Sequence, residues 1–264
     1  MTSNYQNFKA LHESDELFLL PNAWNAESAA IFQDNGFSAI GTSSAAVAGS
    51  LGYEDGEKMP FEDYLFIIKR IASVIQVPLT VDLEMGYGTT HDEITTNILQ
   101  IAELGVAGIN LEDSRISKSK RYLQDAITFA KKLEHIRNKL TAMDVNVFIN
   151  VRCDTYLLNV DNKQEETLHR AKLYQVAGAD GLFLPCIWQE EDIRAARSFT
   201  CLPLNVMSFP GLPDFEVLNH LGVKRVSMGG FMFDTVYNNL KIKSAEFMTG
   251  SNVAMLFSSE VPVR

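Results

Sequence analysis

Asp82 and Glu84 stand two positions apart in "VDLEMGYG", residues 81–88, an apolar run that breaks at Gly86-Tyr87-Gly88. In a strand, residues two apart point to the same face. The spacing therefore predicts two carboxylates side by side at a strand end, where they repel each other and lose hydration. A cation, a basic partner or solvent has to compensate. Other residues able to do chemistry close similar runs: Ser43 and Ser44, Glu112 and Asp113, Arg152 and Asp154, Asn205 and Ser208. Each alone is more commonly a helix cap or an ion-pair partner. Five such strand ends together describe a site for a divalent cation and an anionic substrate. All the acids offer oxygen, and no Cys or His pairing accompanies them, which selects Mg²⁺ or Mn²⁺.

The elements that position these residues are visible as short apolar runs. They are "LFLLP" (17–21), "SAIGTS" (38–43), "LTVDLE" (79–84), "AGINLE" (107–112), "VFINVR" (147–152), "GLFLP" (181–185), "PLNVM" (203–207) and "KRVSM" (224–228). Such runs suit buried parallel strands. Between them lie segments of helical period, including "AESAAIFQDNG", "DEITTNILQIAELG", "EETLHRAKLYQVAG" and "DFEVLNHLG", each ending in a glycine that caps a helix. Eight strands alternating with helices predict one (β/α)8 TIM-type barrel, α/β in class, over residues 1–264. Its C-terminal strand ends meet at one mouth, where active sites of this architecture sit. An apolar tail, "NVAMLF", follows the last helix and needs a surface to pack on.

Composition narrows the function further. Lys and Arg number 23 against 33 Asp and Glu, a formal net charge of −10. The basic face of a nucleic-acid binder is missing; the densest basic cluster, "SKSKRY", reads as a solvated loop. Cys153, Cys186 and Cys201 are too few and too dispersed for a disulfide framework or a zinc site. The opening "MTSNYQNFKALHESDE" has no apolar signal core. No run reaches the roughly 20 apolar residues of a membrane span, so the expectation is a cytoplasmic protein. None of the eight runs ends in the lysine a Schiff-base aldolase needs, and "SMGG" (227–230) is either a late-loop phosphate site or a tight turn.

From Phe18 to Met232 the chain resembles the isocitrate lyase/phosphoenolpyruvate mutase superfamily, in "NAWNAESAAIFQDNGFSAIGTSSAAVAGSLGYEDGE", "VDLEMGYG", "GINLEDS" and "NVRCDTYL". The resemblance implies a Mg²⁺-dependent barrel acting on 2-oxo acids or their enols. It implies that Ser43, Ser44 and Ala45 hold the substrate carboxylate and that Asp55 lies close to the metal site. Asp82 matches the principal metal ligand, Glu84 and Glu112 the acids that hold its waters, and Arg152 the arginine on the substrate. Asn205 is a further substrate contact. The loop at 113–122 matches a lid, with Lys118 and Lys120 reaching an anionic substrate on closure. A homodimer or homotetramer with the last helix exchanged between subunits is also implied. The loop "DSRISKSKRYLQDA" lacks the Cys, Gly and His of the isocitrate and methylisocitrate lyases and the Asn of the mutases, and Pro185 stands where mutases carry histidine. The stretch "PLNVMSFPG" resembles a phosphonomutase-like branch.

The expectation is a Mg²⁺-dependent lyase that cleaves a C–C bond in a small 2-oxo acid through an enolate, as in decarboxylation of an oxaloacetate-like substrate. The alternatives are P–C chemistry on phosphonopyruvate or phosphoenolpyruvate, and a barrel that binds a metabolite with little turnover.

Overall fold

The computed structural model describes residues 3–117, 120–250 and 253. The strands are β1 (Phe18–Leu20), β2 (Asn22–Ala23), β3 (Ile40–Thr42), β4 (Leu79–Asp82), β5 (Gly108–Glu112), β6 (Ser114–Ser117), β7 (Lys120–Leu123), β8 (Phe148–Arg152), β9 (Gly181–Leu184), β10 (Leu204–Met207) and β11 (Val223–Ser227). The helices are α1 (Asn4–Glu13), α2 (Ala26–Asp34), α3 (Ser44–Leu51), α4 (Phe61–Ala72), α5 (His91–Glu103), α6 (Ala126–Ala142), α7 (Lys163–Val176), α8 (Glu190–Phe199), α9 (Phe215–His220) and α10 (Phe231–Thr249).

Nine strands form one sheet in the order β1-β11-β10-β9-β8-β5-β4-β3-β2. All its pairings are parallel. Pro21, which has no N–H to give a ladder, divides the first barrel strand into β1 and β2. β1 pairs with β11 and β2 with β3, so this one stretch touches both ends of the sheet and closes it. The result is the (β/α)8 barrel that the alternation of runs predicts. The helix-to-strand joints at Gly36, Gly105, Gly178 and Gly222 have φ of 85°, 79°, 97° and 79°, the left-handed stop expected of them.

Two features go beyond that reading. Helix α1 opens with a capping box: Ser3 accepts from the Gln6 N–H, and the Gln6 side chain accepts from the Ser3 N–H. Its Phe8 joins Phe18, Leu20, Ala39, Ala107 and Phe148 in one buried cluster at the N-terminal ends of the strands. The loop after β5 is an antiparallel hairpin, β6 with β7, with Ile116 opposite Arg121 and Ser117 opposite Lys120. The chain divides into two compact units, residues 1–229 and 230–264. In the second, α10 has no buried residue and exposes Phe231, Leu240, Ile242 and Met248. Among the described residues, no helix is long and apolar enough to cross a membrane.

Candidate active site

Strand β4 ends at Asp82, and the chain leaves it through a tight turn. The Gly86 N–H donates to the Leu83 carbonyl at 2.9 Å, with Glu84, Gly86 and Tyr87 at φ of 49°, 112° and 54°. A side chain at Gly86 would meet Ile94 at 2.6 Å, so glycine is required there for space as well as for backbone. This corrects the strand argument for the acid pair: Asp82 is the last strand residue, and Glu84 belongs to the turn. The two carboxylates still come together. Glu84 is buried and accepts from the Tyr87 hydroxyl at 2.8 Å and the Glu57 N–H at 3.0 Å. Burial, then the charges of Asp55, Glu112 and Asp82, push its carboxyl up to about 9. A proton on Glu84 is therefore one compensation for the crowded acids. Glu57, which the sequence did not single out, also accepts from the Tyr87 N–H at 2.7 Å and ties the turn to the loop after α3.

Arginine supplies the other compensation. At the ends of β5 and β8, which pair Glu112 with Arg152, the Arg152 Nη1 meets Glu112 Oε1 at 2.6 Å and its Nε donates to Asp154 Oδ1 at 2.7 Å. Arg121, from β7, contacts the second oxygen of Glu112 and lies 3.2 Å from Asp154 Oδ2 and 4.0 Å from Asp55 Oδ2. Burial raises the Glu112 carboxyl, while Arg152 and Arg121 pull it back toward the ionised form. Asp113 faces away from this cluster. Its oxygens take Arg170 at 3.1 Å, the Tyr174 hydroxyl at 2.8 Å and the Asp154 N–H at 3.0 Å, a structural clamp.

The hairpin residue on the acids is thus Arg121, which sequence reading missed. Lys120 is exposed on the hairpin, and Lys118 lies outside the described residues. The register holds the signal in retrospect, because Arg121 stands opposite Ile116 in the hairpin.

Ser43 caps α3 through its side chain, which accepts from the Ala46 N–H at 3.3 Å. Ser44 donates its hydroxyl to Asp82 Oδ2 at 2.9 Å. The first N–H groups of α3, at Ser44 and Ala45, have no partner within the helix, and such a helix start favours an anion. Asn205 is placed lower, inside the barrel, where its oxygen accepts from Asn150 at 3.2 Å and its nitrogen donates to the Arg225 carbonyl at 3.1 Å. At "SMGG" the Met228 and Gly229 N–H groups both donate to Asn22 Oδ1 at 2.9 Å, so they are engaged in a turn and are not offered to a phosphate. Trp24 is buried against Phe32, and Trp188 lies over Gly211.

Asp82 is the carboxylate best fitted to a cation. Its side-chain donors, the Ser44 hydroxyl and the Asn110 amide at 3.5 Å, are both neutral. Among the described residues, no three His, Cys, Asp or Glu side chains converge as direct ligands. That donor set fits a cation that keeps several waters, as Mg²⁺ does, and not a fully caged ion.

A parallel barrel whose C-terminal mouth gathers acids and arginines carries them where the active sites of barrel enzymes sit. Residues 8–248 match the family model for phosphoenolpyruvate phosphomutase, and the chain belongs to that family. It is 36% identical over 224 residues to the uncharacterized protein Rv1998c of Mycobacterium tuberculosis, covering 84% of this chain and 81% of that protein. To oxaloacetate decarboxylase 1 of Pseudomonas fluorescens it is 30% identical over 231 residues, covering 85% and 78%. A crystal structure from Burkholderia cenocepacia J2315, provisionally assigned as a phosphonomutase, superposes with a TM-score of 0.85 at 33% identity and covers 91% of this chain and 98% of that one.

Proposed function

We propose that this protein is a lyase, dependent on Mg²⁺ or Mn²⁺, that cleaves a C–C bond in a small 2-oxo acid through an enolate, with decarboxylation of an oxaloacetate-like dicarboxylate as the favoured reaction. The supporting observation is the placement, at one mouth, of Asp82, which forms no salt bridge among the described residues, beside two arginines that do. The likeness to an oxaloacetate decarboxylase supports the same reading.

A divalent cation bound there supplies Lewis-acid stabilisation of charge on the substrate oxygens. Asp82 would hold it directly, with Glu84 and Glu112 acting through water. The Ser44 and Ala45 N–H groups, at the positive end of α3, fix the substrate carboxylate. Arg152 faces the same space and stabilises the enolate as its charge develops. Asp154 and Glu112 hold the Arg152 guanidinium in place beforehand, so little reorganisation is needed during reaction. The β6–β7 hairpin closes over the site and excludes water. Arg121 is its contact with the acids, and Lys120 adds positive charge at an exposed position.

P–C bond chemistry on phosphonopyruvate or phosphoenolpyruvate is the second reading, favoured by the family match and the Burkholderia structure. The deciding experiment is a panel of 2-oxo acids and phosphonates, each with and without Mg²⁺, followed by product identification. Metal-dependent release of carbon dioxide and pyruvate from oxaloacetate is the expected result. Phosphate released from phosphonopyruvate would transfer the assignment to the second reading. No turnover on any compound would leave a metabolite-binding barrel.

A further inference from the structure

We propose that the barrel interior beneath Asp82 is a hydrated site, in which ordered water bridges the Arg225 guanidinium to the His12 imidazole. Among the described residues, six buried side-chain polar atoms have no hydrogen-bond partner, and five of them belong to residues lining this interior: His12 Nε2, Thr80 Oγ1, Asn150 Oδ1, and Nε and Nη1 of Arg225. Buried polar groups are nearly always paired by protein or by ordered water, so five such atoms in one place call for a partner.

The residues are neighbours by register and by contact. Arg225 lies across from Phe18 on β1 and Asn205 on β10. The His12 ring, rising from α1, stacks on Phe148 at 4.1 Å and meets the edge of Phe18 at 4.9 Å. Thr80 pairs with Gly108, and Gly108 with Phe148. Asn150 pairs with Gly181, where an added Cβ would come within 2.7 Å of the unpaired Asn150 oxygen, so the strand is cleared around that atom.

Arg225 is fully buried, and no carboxylate touches it among the described residues. Among the described residues its side chain makes one hydrogen bond, from Nη2 to Asn110 Oδ1 at 2.9 Å. Burial lowers it to about 9, against the pull of Asp82, which leaves it cationic at neutral pH. An isolated buried charge of this kind is costly unless it is solvated in place.

The chemistry of the orphaned atoms selects the ligand. Arg225 can only donate. His12 Nδ1 lies 2.9 Å from the Phe8 carbonyl and therefore carries the ring hydrogen, which leaves Nε2 a bare acceptor. Burial, then Arg225, lowers His12 to about 3, so the ring stays neutral. Asn150 Oδ1 is an acceptor as well. A halide or other simple anion would satisfy Arg225 and Thr80 but repel the lone pairs of His12 and Asn150. Water accepts from the guanidinium and donates to both acceptors, and a polar site with two to four partners is where buried water is held. The bridge completes a polar column from His12 through Arg225 and Asn110 to Asp82 at the mouth.

The test is a crystal structure of the full chain at a resolution that shows ordered water, from crystals grown in chloride and from crystals soaked in bromide. The expected result is water within hydrogen-bond distance of His12 Nε2 and of Nε or Nη1 of Arg225, in the same place in both, with no anomalous signal. A bromide anomalous peak against Arg225 would replace the water by an anion site. A direct Arg225–His12 hydrogen bond with no density between them would remove the site altogether.

Discussion

In the proposed reaction Arg152 carries the heaviest chemical burden of any side chain at the mouth. Its planar fork spans Glu112 and Asp154. Arg152→Lys keeps the charge and loses the fork. Its kcat/KM should fall by about 10²–10³, the usual cost of one transition-state contact. Near-normal turnover in that variant would reduce Arg152 to a structural partner of the two acids. Asp82, Glu112 and Arg152 were legible in the sequence because each closes an apolar run, and barrel geometry brings such ends together. Glu84 was found for a partly mistaken reason. A shared strand face predicts its company with Asp82, whereas a turn with positive φ delivers it. Asp113 stands beside Glu112 in sequence but faces Arg170 and Tyr174, an orientation that residue type does not reveal.

The β6–β7 hairpin is the element where type and position part company. Its composition reads as a mobile basic loop, and the lysines draw attention by number. The pairing of Ile116 with Arg121 decides instead which cation reaches the acids. Arg121→Gln should lower turnover on the order of 10²-fold while the fold survives. Lys120→Ala, at an exposed position, should have a much smaller effect. Substrate with Mg²⁺ should also slow tryptic cleavage after Arg115 and Arg121. Equal cleavage with and without a bound ligand, together with full activity in Arg121→Gln, would make the hairpin a surface ornament. Helix α1 was overlooked although its capping box, Ser3 with Gln6, is written in the sequence. The helix lies ahead of the first strand, outside the strand–helix alternation that organises everything after it, so no periodic argument called for it.

At the scale of the whole molecule, the closed barrel makes the interior and the mouth interdependent. The folded state keeps His12 near 3 against an ordinary 6.5, because burial and the facing Arg225 disfavour its charge. Between those values the unfolded chain takes up a proton that the folded chain refuses. Stability therefore falls as pH drops through this window, by up to about 1.4 kcal/mol per pH unit from this group. Urea titrations of His12→Phe should show a correspondingly flatter pH dependence than the parent between these limits, and parallel slopes would contradict a neutral, buried His12. The apolar residues exposed along α10, with the helix exchange implied by the family resemblance, predict a dimer or tetramer by sedimentation; a monomer at micromolar concentration would oppose it. The central claim is that converging strand ends make Asp82 the anchor for a divalent cation. Calorimetric titration of Mg²⁺ into the parent protein and into Asp82→Asn, with circular dichroism to show that both are folded, tests it most directly. Asp82→Asn keeps the shape of the side chain and removes its charge, so affinity should drop by at least about 10–100-fold; unchanged Mg²⁺ binding in the folded variant would contradict the account.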